Sequence, residues 1–229
     1  MINKEEHLSE QESLALITSM IQKAKSSYHE SGTSILLWGT AVTIASLVSY
    51  LKAQFQFDIG FDIWLLVLAA VIPQIFISIK ERKNKQFQSH TDIAVNAVWL
   101  VYAFTIFGLV IYQMIVPGSA AEIFKTEGWT LLKHYTDTNK PDEIIAPFVP
   151  SFFSIYLLVF AFPTLINGII KNFKPMIIGA FITYALFVLS CFTAFKYDML
   201  LGAITAMVCW FIPGIILRKR YNRQKTVHV

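Results

Sequence analysis

From Phe61 to Ile79 the chain reads FDIWLLVLAAVIPQIFISI, with no ionisable side chain after Asp62, and then Lys80, Arg82, Lys83 and Lys85 follow. At about 1.5 Å per residue, a helix over this stretch is roughly 28 Å long, close to the ~30 Å hydrocarbon core of a bilayer. Hydrocarbon leaves no partner for unpaired backbone amides, so such a run folds only as a helix or inside a closed barrel. Barrel strands alternate over about ten residues; these runs do not alternate. The expectation is an all-α polytopic membrane protein.

Only 15 % of the 229 residues are charged, against about 25 % in soluble domains. The net charge of +4 is spread by topology and does not form the aromatic-interleaved basic surface of a nucleic-acid binder. Cys191 and Cys209 both fall in apolar runs, where packing is their expected role. They supply neither a disulfide framework nor metal-ligand spacing.

The chain divides into three regions. Residues 1–32 comprise a tail and an amphipathic helix, opened by the capping-box pattern Ser9-Glu10-Gln11-Glu12. Leu14, Ile17, Ile21, Ala24 and Tyr28 repeat at helical spacing to make one apolar face, suited to the inner leaflet or to docking on the bundle. Gly32 breaks the chain before the membrane. Residues 33–217 hold six spans, at about 34–51, 61–79, 92–116, 150–170, 175–195 and 199–217. A basic tail occupies 218–229.

Pro117-Gly118 is expected to end the third span, leaving 117–149 as an outer segment. Within it, Ile123, Phe124, Trp129, Leu131, Leu132 and Tyr135 read as one side of a short interfacial helix, and Pro141-Asp142-Glu143 as a second helix start. Residues 1–13 are polar and acidic, so the first span is expected to direct insertion itself. With both termini in the cytoplasm, 14 of the 19 Lys and Arg residues lie inside, which obeys the positive-inside rule. The expected location is a cell membrane, with multiple crossings.

An offset of 140 residues aligns spans one and two with spans five and six without a gap. Nine of 45 positions from Ile35 to Ile79 then coincide, among them Gly39/Gly179, Thr43/Thr183, Asp58/Asp198 and Pro73/Pro213. Pro163 adds a third proline on span four, so the architecture reads as three hairpins with kinked return helices. Parallel repeats of this kind occur in transporters, although hairpins also resemble one another without duplication.

No ionisable residue falls in the middle of a predicted span, which argues against proton relays and membrane metalloenzymes. No hydrolase elbow or phosphate loop is present. The chain therefore reads as non-enzymatic, with no cofactor, metal site or nucleic-acid partner. Uncharged polar residues gather at one depth in the cytoplasmic half: Gln74, Asn96 and Asn167, flanked by His90 and Asp92. These five form the candidate ligand site, a shallow pocket in which Gln74 and Asn167 donate to carbonyls freed by the prolines. The competing expectation is plain interhelical hydrogen bonding.

The run Glu12-Ser13-Leu14…Leu16-Ile17…Met20-Ile21…Ala24-Lys25, then Leu37-Trp38-Gly39, Phe61-Asp62-Ile63-Trp64 and Ile72-Pro73-Gln74-Ile75, resembles a family of bacterial six-span membrane proteins with no assigned activity. The resemblance covers about the first 85 residues and implies topology and bacterial origin. The plan of an interfacial helix and six spans also resembles export permeases of the ATP-binding-cassette type. Those usually carry a re-entrant outer segment between spans five and six, where this chain has only Phe195–Asp198. Two functional expectations follow: a protein docking or regulating a cytoplasmic partner through residues 9–29 and the basic loop 80–90, or a permease component for an apolar or lipid-like solute.

Overall fold

The computed structural model describes Leu14, Thr18 and residues 31–84, 90–136 and 140–227. Of the expected N-terminal helix, Leu14 and Thr18 are both helical, with Thr18 Oγ1 donating to the Leu14 carbonyl at 2.7 Å. The rest of 9–29 and residues 85–89 of the basic loop lie outside the described residues.

The described chain is built of helices and one small hairpin. In order these are α1 (Thr33–Phe55), α2 (Leu65–Ala69), α3 (Val71–Asn84), α4 (His90–Thr126), β1 (Leu132–Lys133), β2 (Glu143–Ile144), α5 (Phe152–Ile170), α6 (Lys174–Ser190), α7 (Lys196–Ala206), a π-turn (Met207–Phe211) and α8 (Ile212–Val227). Four segments are long and apolar enough to cross a membrane: Thr33–Phe55, His90–Thr126, Phe152–Ile170 and Lys196–Arg223. α6 is a shorter apolar helix of 17 residues. Leu100, Phe104, Phe107 and Met114 of α4 are 59 %, 72 %, 65 % and 78 % exposed. So broad an apolar surface suits lipid and not water.

The predicted second span is divided where six continuous spans were expected. Pro73 has no N–H for the Ala69 carbonyl, and Ala70 takes a tighter turn at φ −63°, ψ −16°. Hydrogen bonds nevertheless bridge the break, from Ala70 N–H to Leu66 at 3.0 Å and from Gln74 N–H to Ala70 at 3.2 Å. Pro213 acts likewise on the last helix, where the ladder loosens into the π-turn just before it. The 140-residue offset carries Met207–Phe211 onto Val67–Val71, which contains Ala70. Both helices are thus disturbed at matching positions. Their settings differ, since Pro213 is fully buried and Pro73 exposed.

Two expectations about the third span and its sequel are corrected. Pro117 lies inside α4, which runs on to Thr126. One missing N–H removes a single hydrogen bond, and Tyr156 of α5 anchors the preceding turn by donating to Gln113 Oε1 at 3.1 Å. Beyond it there is no helix at 129–135 and none starting at Pro141. Instead β1 and β2 pair antiparallel, Leu132 opposite Ile144 and Lys133 opposite Glu143. Side chains across the ribbon favour pairing: His134 Nδ1 meets Asp142 Oδ1 at 2.7 Å, and Tyr135 donates to Glu143 at 3.0 Å. Trp129 folds back to stack on Phe124, ring centres 3.7 Å apart.

The core is a four-helix bundle of α1, α5, α6 and the α7–π–α8 helix. Gly32 precedes α1 in the left-handed region (φ +67°), and a Cβ there would also crowd the Gly214 carbonyl oxygen at 2.8 Å. Asn172, with φ +49°, makes the tight connection before α6, which has Pro175 in its first turn. Ala41 and Ala45 of α1 and Ala206 of α7 are buried, and small side chains of this kind let packed helices approach closely. α4 rests on α5, and α2–α3 lean on α1. We call the end with loop 56–63 and the ribbon the hairpin end, and the other the basic end.

Candidate functional site

The five predicted site residues do not converge. Gln74 on α3 is held by α1: it accepts from Trp38 Nε1–H at 3.1 Å and donates to Ser34 Oγ at 3.1 Å and to Ser78 Oγ at 3.0 Å. The first two bonds stitch α3 to α1, the third stays within α3, and together they leave Gln74 little capacity for a ligand. Asn167 lies elsewhere, buried against α6 with its Nδ2 donating to Met176 Sδ at 3.7 Å. Neither amide donates to a carbonyl freed by proline in these bonds. Asn96 and His90 are exposed on α4, and Asp92 is buried in its first turn. The structural expectation of interhelical bonding describes Gln74, and the hydrogen bonds of Gln74 and Asn167 share no partner.

What the bundle does assemble is a buried polar seam along the α7–π–α8 helix. The π-turn carries Cys209 and Trp210 into the centre. Trp210 Nε1–H donates to Thr164 Oγ1 at 2.9 Å, and Thr164 in turn donates to the Phe160 carbonyl at 2.8 Å. On the opposite side Thr183 Oγ1 donates to the Gly179 carbonyl at 2.9 Å and lies 3.2 Å from Cys209 Sγ. Phe160, Tyr102 and Trp99 ring the indole, with centroids 4.9, 6.0 and 6.3 Å away. This centre has paired hydroxyls and no neighbouring base, so it is equipped to hold helices together. Among the described residues no group of three or more His, Cys, Asp and Glu could hold a metal.

Two glycines close the seam at this level. A Cβ on Gly39 would lie 2.5 Å from Phe211 N, and one on Gly179 would collide with the Val208 carbonyl oxygen. α1 and α6 therefore clasp the π-turn from two sides, each through a glycine, and these are equivalent positions of the 140-residue offset.

Towards the hairpin end the seam is left unpaired. Asp198, 1 % exposed in the first turn of α7, has neither carboxylate oxygen hydrogen-bonded among the described residues. Ser154 Oγ, Thr205 Oγ1 and Thr43 Oγ1 are likewise without partners there. The sequence reading placed Asp198 in a turn and passed over it. The available signal was the step Asp198, Gly202, Thr205, which puts an acid on the small, buried face of the helix.

Asp58, in the loop after α1, accepts from Lys52 Nζ at 2.7 Å, and that bond holds its carboxyl below the usual carboxylate range. Both flank an open cleft of about 670 Å³ that also touches Ser49, Gln56 and Asp62. At the basic end, burial pushes the Lys171 ammonium down to about 8. No family model, curated protein or solved structure matches the chain.

Proposed function

We propose that this chain is a non-enzymatic, six-span protein of a bacterial inner membrane, with both termini in the cytoplasm, that docks or regulates a protein partner through its cytoplasmic face. The observation that carries this reading is the closure of the bundle at the π-turn. Gly39 and Gly179 press on main chain from two sides, and the polar groups at that depth bond to one another. A permease for an apolar or lipid-like solute needs a passage where the helices are most tightly joined, so the docking reading is favoured over it. The sequence surface left for a partner is the amphipathic stretch 9–29 with the basic loop 80–90.

Helix lengths support six crossings. α2 and α3 together cover Leu65–Asn84, roughly 30 Å of helix, and the 17 residues of α6 make roughly 25 Å. A helix somewhat short of the bilayer is accommodated by local thinning at modest cost. A reporter active only in the cytoplasm, fused after Val229, is expected to be active; activity of a periplasmic reporter there instead would reverse the topology. Deleting residues 1–29 is expected to abolish partner recovery in detergent pulldowns while membrane insertion persists. An unchanged set of partners would overturn the docking reading.

A further inference from the structure

We propose that Asp198 and Ser154 form a binding site for a single monovalent alkali cation at the hairpin end of the bundle. The carboxylate is almost wholly buried and neither oxygen has a hydrogen-bond donor among the described residues. Buried polar groups in folded proteins are paired with protein, water or an ion, and a buried charge without a partner is costly. Ser154, itself 5 % exposed, also has an unpartnered hydroxyl. The hydroxyls of Ser154 and Ser151 lie against the carboxylate, and neither makes a well-aligned bond to its oxygens. A buried carboxylate without a counter-charge, with hydroxyl oxygens beside it, supplies the kind of oxygen ligands a hard cation takes.

Among the described residues no cation is paired with Asp198. Lys196, two residues away, sends its Nζ to Gln54 Oε1 at 3.3 Å and over the Tyr197 ring at 5.0 Å. The contrast with Asp58 is informative. At the equivalent place of the 140-residue offset, Asp58 is neutralised by Lys52; the residue equivalent to Lys52 is Phe192, which points out with 85 % exposure. Asp198 therefore keeps the acid of this pair without its base. A helix-capping role is not made either, because a capping carboxylate accepts from first-turn N–H groups and none reaches these oxygens.

The charge count selects the ion. One carboxylate and neutral hydroxyls balance one positive charge, and the all-oxygen donor set disfavours transition metals. Thr205 and Thr43 continue the unpaired oxygens further into the bundle, and the clasped π-turn then stops them. The ion is thus held at the hairpin end and is not passed through the bundle.

The test uses the full-length protein in detergent, with sodium chloride exchanged for choline chloride at constant ionic strength. Thermal unfolding should rise saturably with sodium, by about 5 °C or more at a hundredfold excess over Kd. Asp198→Asn should abolish the sodium response, and Ser154→Ala should move its midpoint to higher sodium. Radioactive sodium should bind wild type at one ion per chain. If wild type melts at the same temperature in sodium, potassium, lithium and choline, and binds no radioactive sodium, the site does not exist. A sodium response retained in a folded Asp198→Asn variant would also overturn it. Should that variant fail to fold, the wild-type isotherm and the Ser154→Ala shift decide.

Discussion

Gly179→Val is expected to be among the most damaging single substitutions in this protein, lowering stability by about 3 kcal/mol or more. Overpacking a filled interior costs about 1–3 kcal/mol when side chains can move aside. Here the added Cβ meets the main-chain oxygen of Val208, which cannot swing away without displacing the π-turn. Displacing it would also pull Cys209 from Thr183 and Trp210 from Thr164. Gly39→Ala, aimed at Phe211 N at 2.5 Å, should act in the same direction. Gly108→Ala is the control. Gly108 lies in α4 with nothing within 4 Å of the new methyl, so the change should be neutral or stabilising by up to about 1 kcal/mol. Thermal unfolding in detergent ranks the three. If Gly179→Val and Gly108→Ala melt together, α6 does not approach the π-turn closely.

The second large effect is expected at Trp210, where truncation to alanine should cost about 3–5 kcal/mol. The indole is 2 % exposed and surrounded by Phe160, Tyr102 and Trp99. In a bilayer the loss is mainly of packing, since lipid is as apolar as the core and supplies little hydrophobic drive between helices. Trp210→Phe separates the contributions. It keeps most of the ring contact but removes the bond to Thr164, a loss of about 0.5–1.5 kcal/mol. Thr164 still has the Phe160 carbonyl, so no new unpaired group is buried. Unfolding of both variants followed by far-ultraviolet circular dichroism provides the measurement; equal losses would mean that the hydrogen bond, not the ring packing, carries the effect.

These two residues also mark where sequence reading reaches its limit. Gly39 and Gly179 stood out as a coincidence at constant offset, and Pro73 and Pro213 as kinks. Nothing in the sequence said that both glycines press on the distortion ahead of one of those prolines. The five polar residues were grouped by depth, but depth alone leaves the azimuth of each side chain undetermined. Gln74 faces α1 and Asn167 faces α6, so equal depth did not bring them together. Asp198 was overlooked for the converse reason: it lies near a helix end, where an acid is expected to be wet, and neighbouring helices bury it.

The sequence by itself determined the class of fold and the apolar segments, because hydrocarbon thickness and backbone hydrogen bonding constrain each run locally, whatever it packs against. Two helix starts were legible for the same reason, at Gly32 and Pro175, where one residue's backbone preference decides, whereas the start expected at Pro141 is replaced by strand pairing. Only the tertiary structure decided that α4 continues through Pro117, that Leu132–Lys133 pairs with Glu143–Ile144, and that the last helix loosens into a π-turn clasped by two glycines. Each of these depends on contacts between residues far apart in the chain: Tyr156 with Gln113, Leu132 with Ile144, Gly39 with Phe211. Local preference is silent or contrary at such places, and packing between helices prevails.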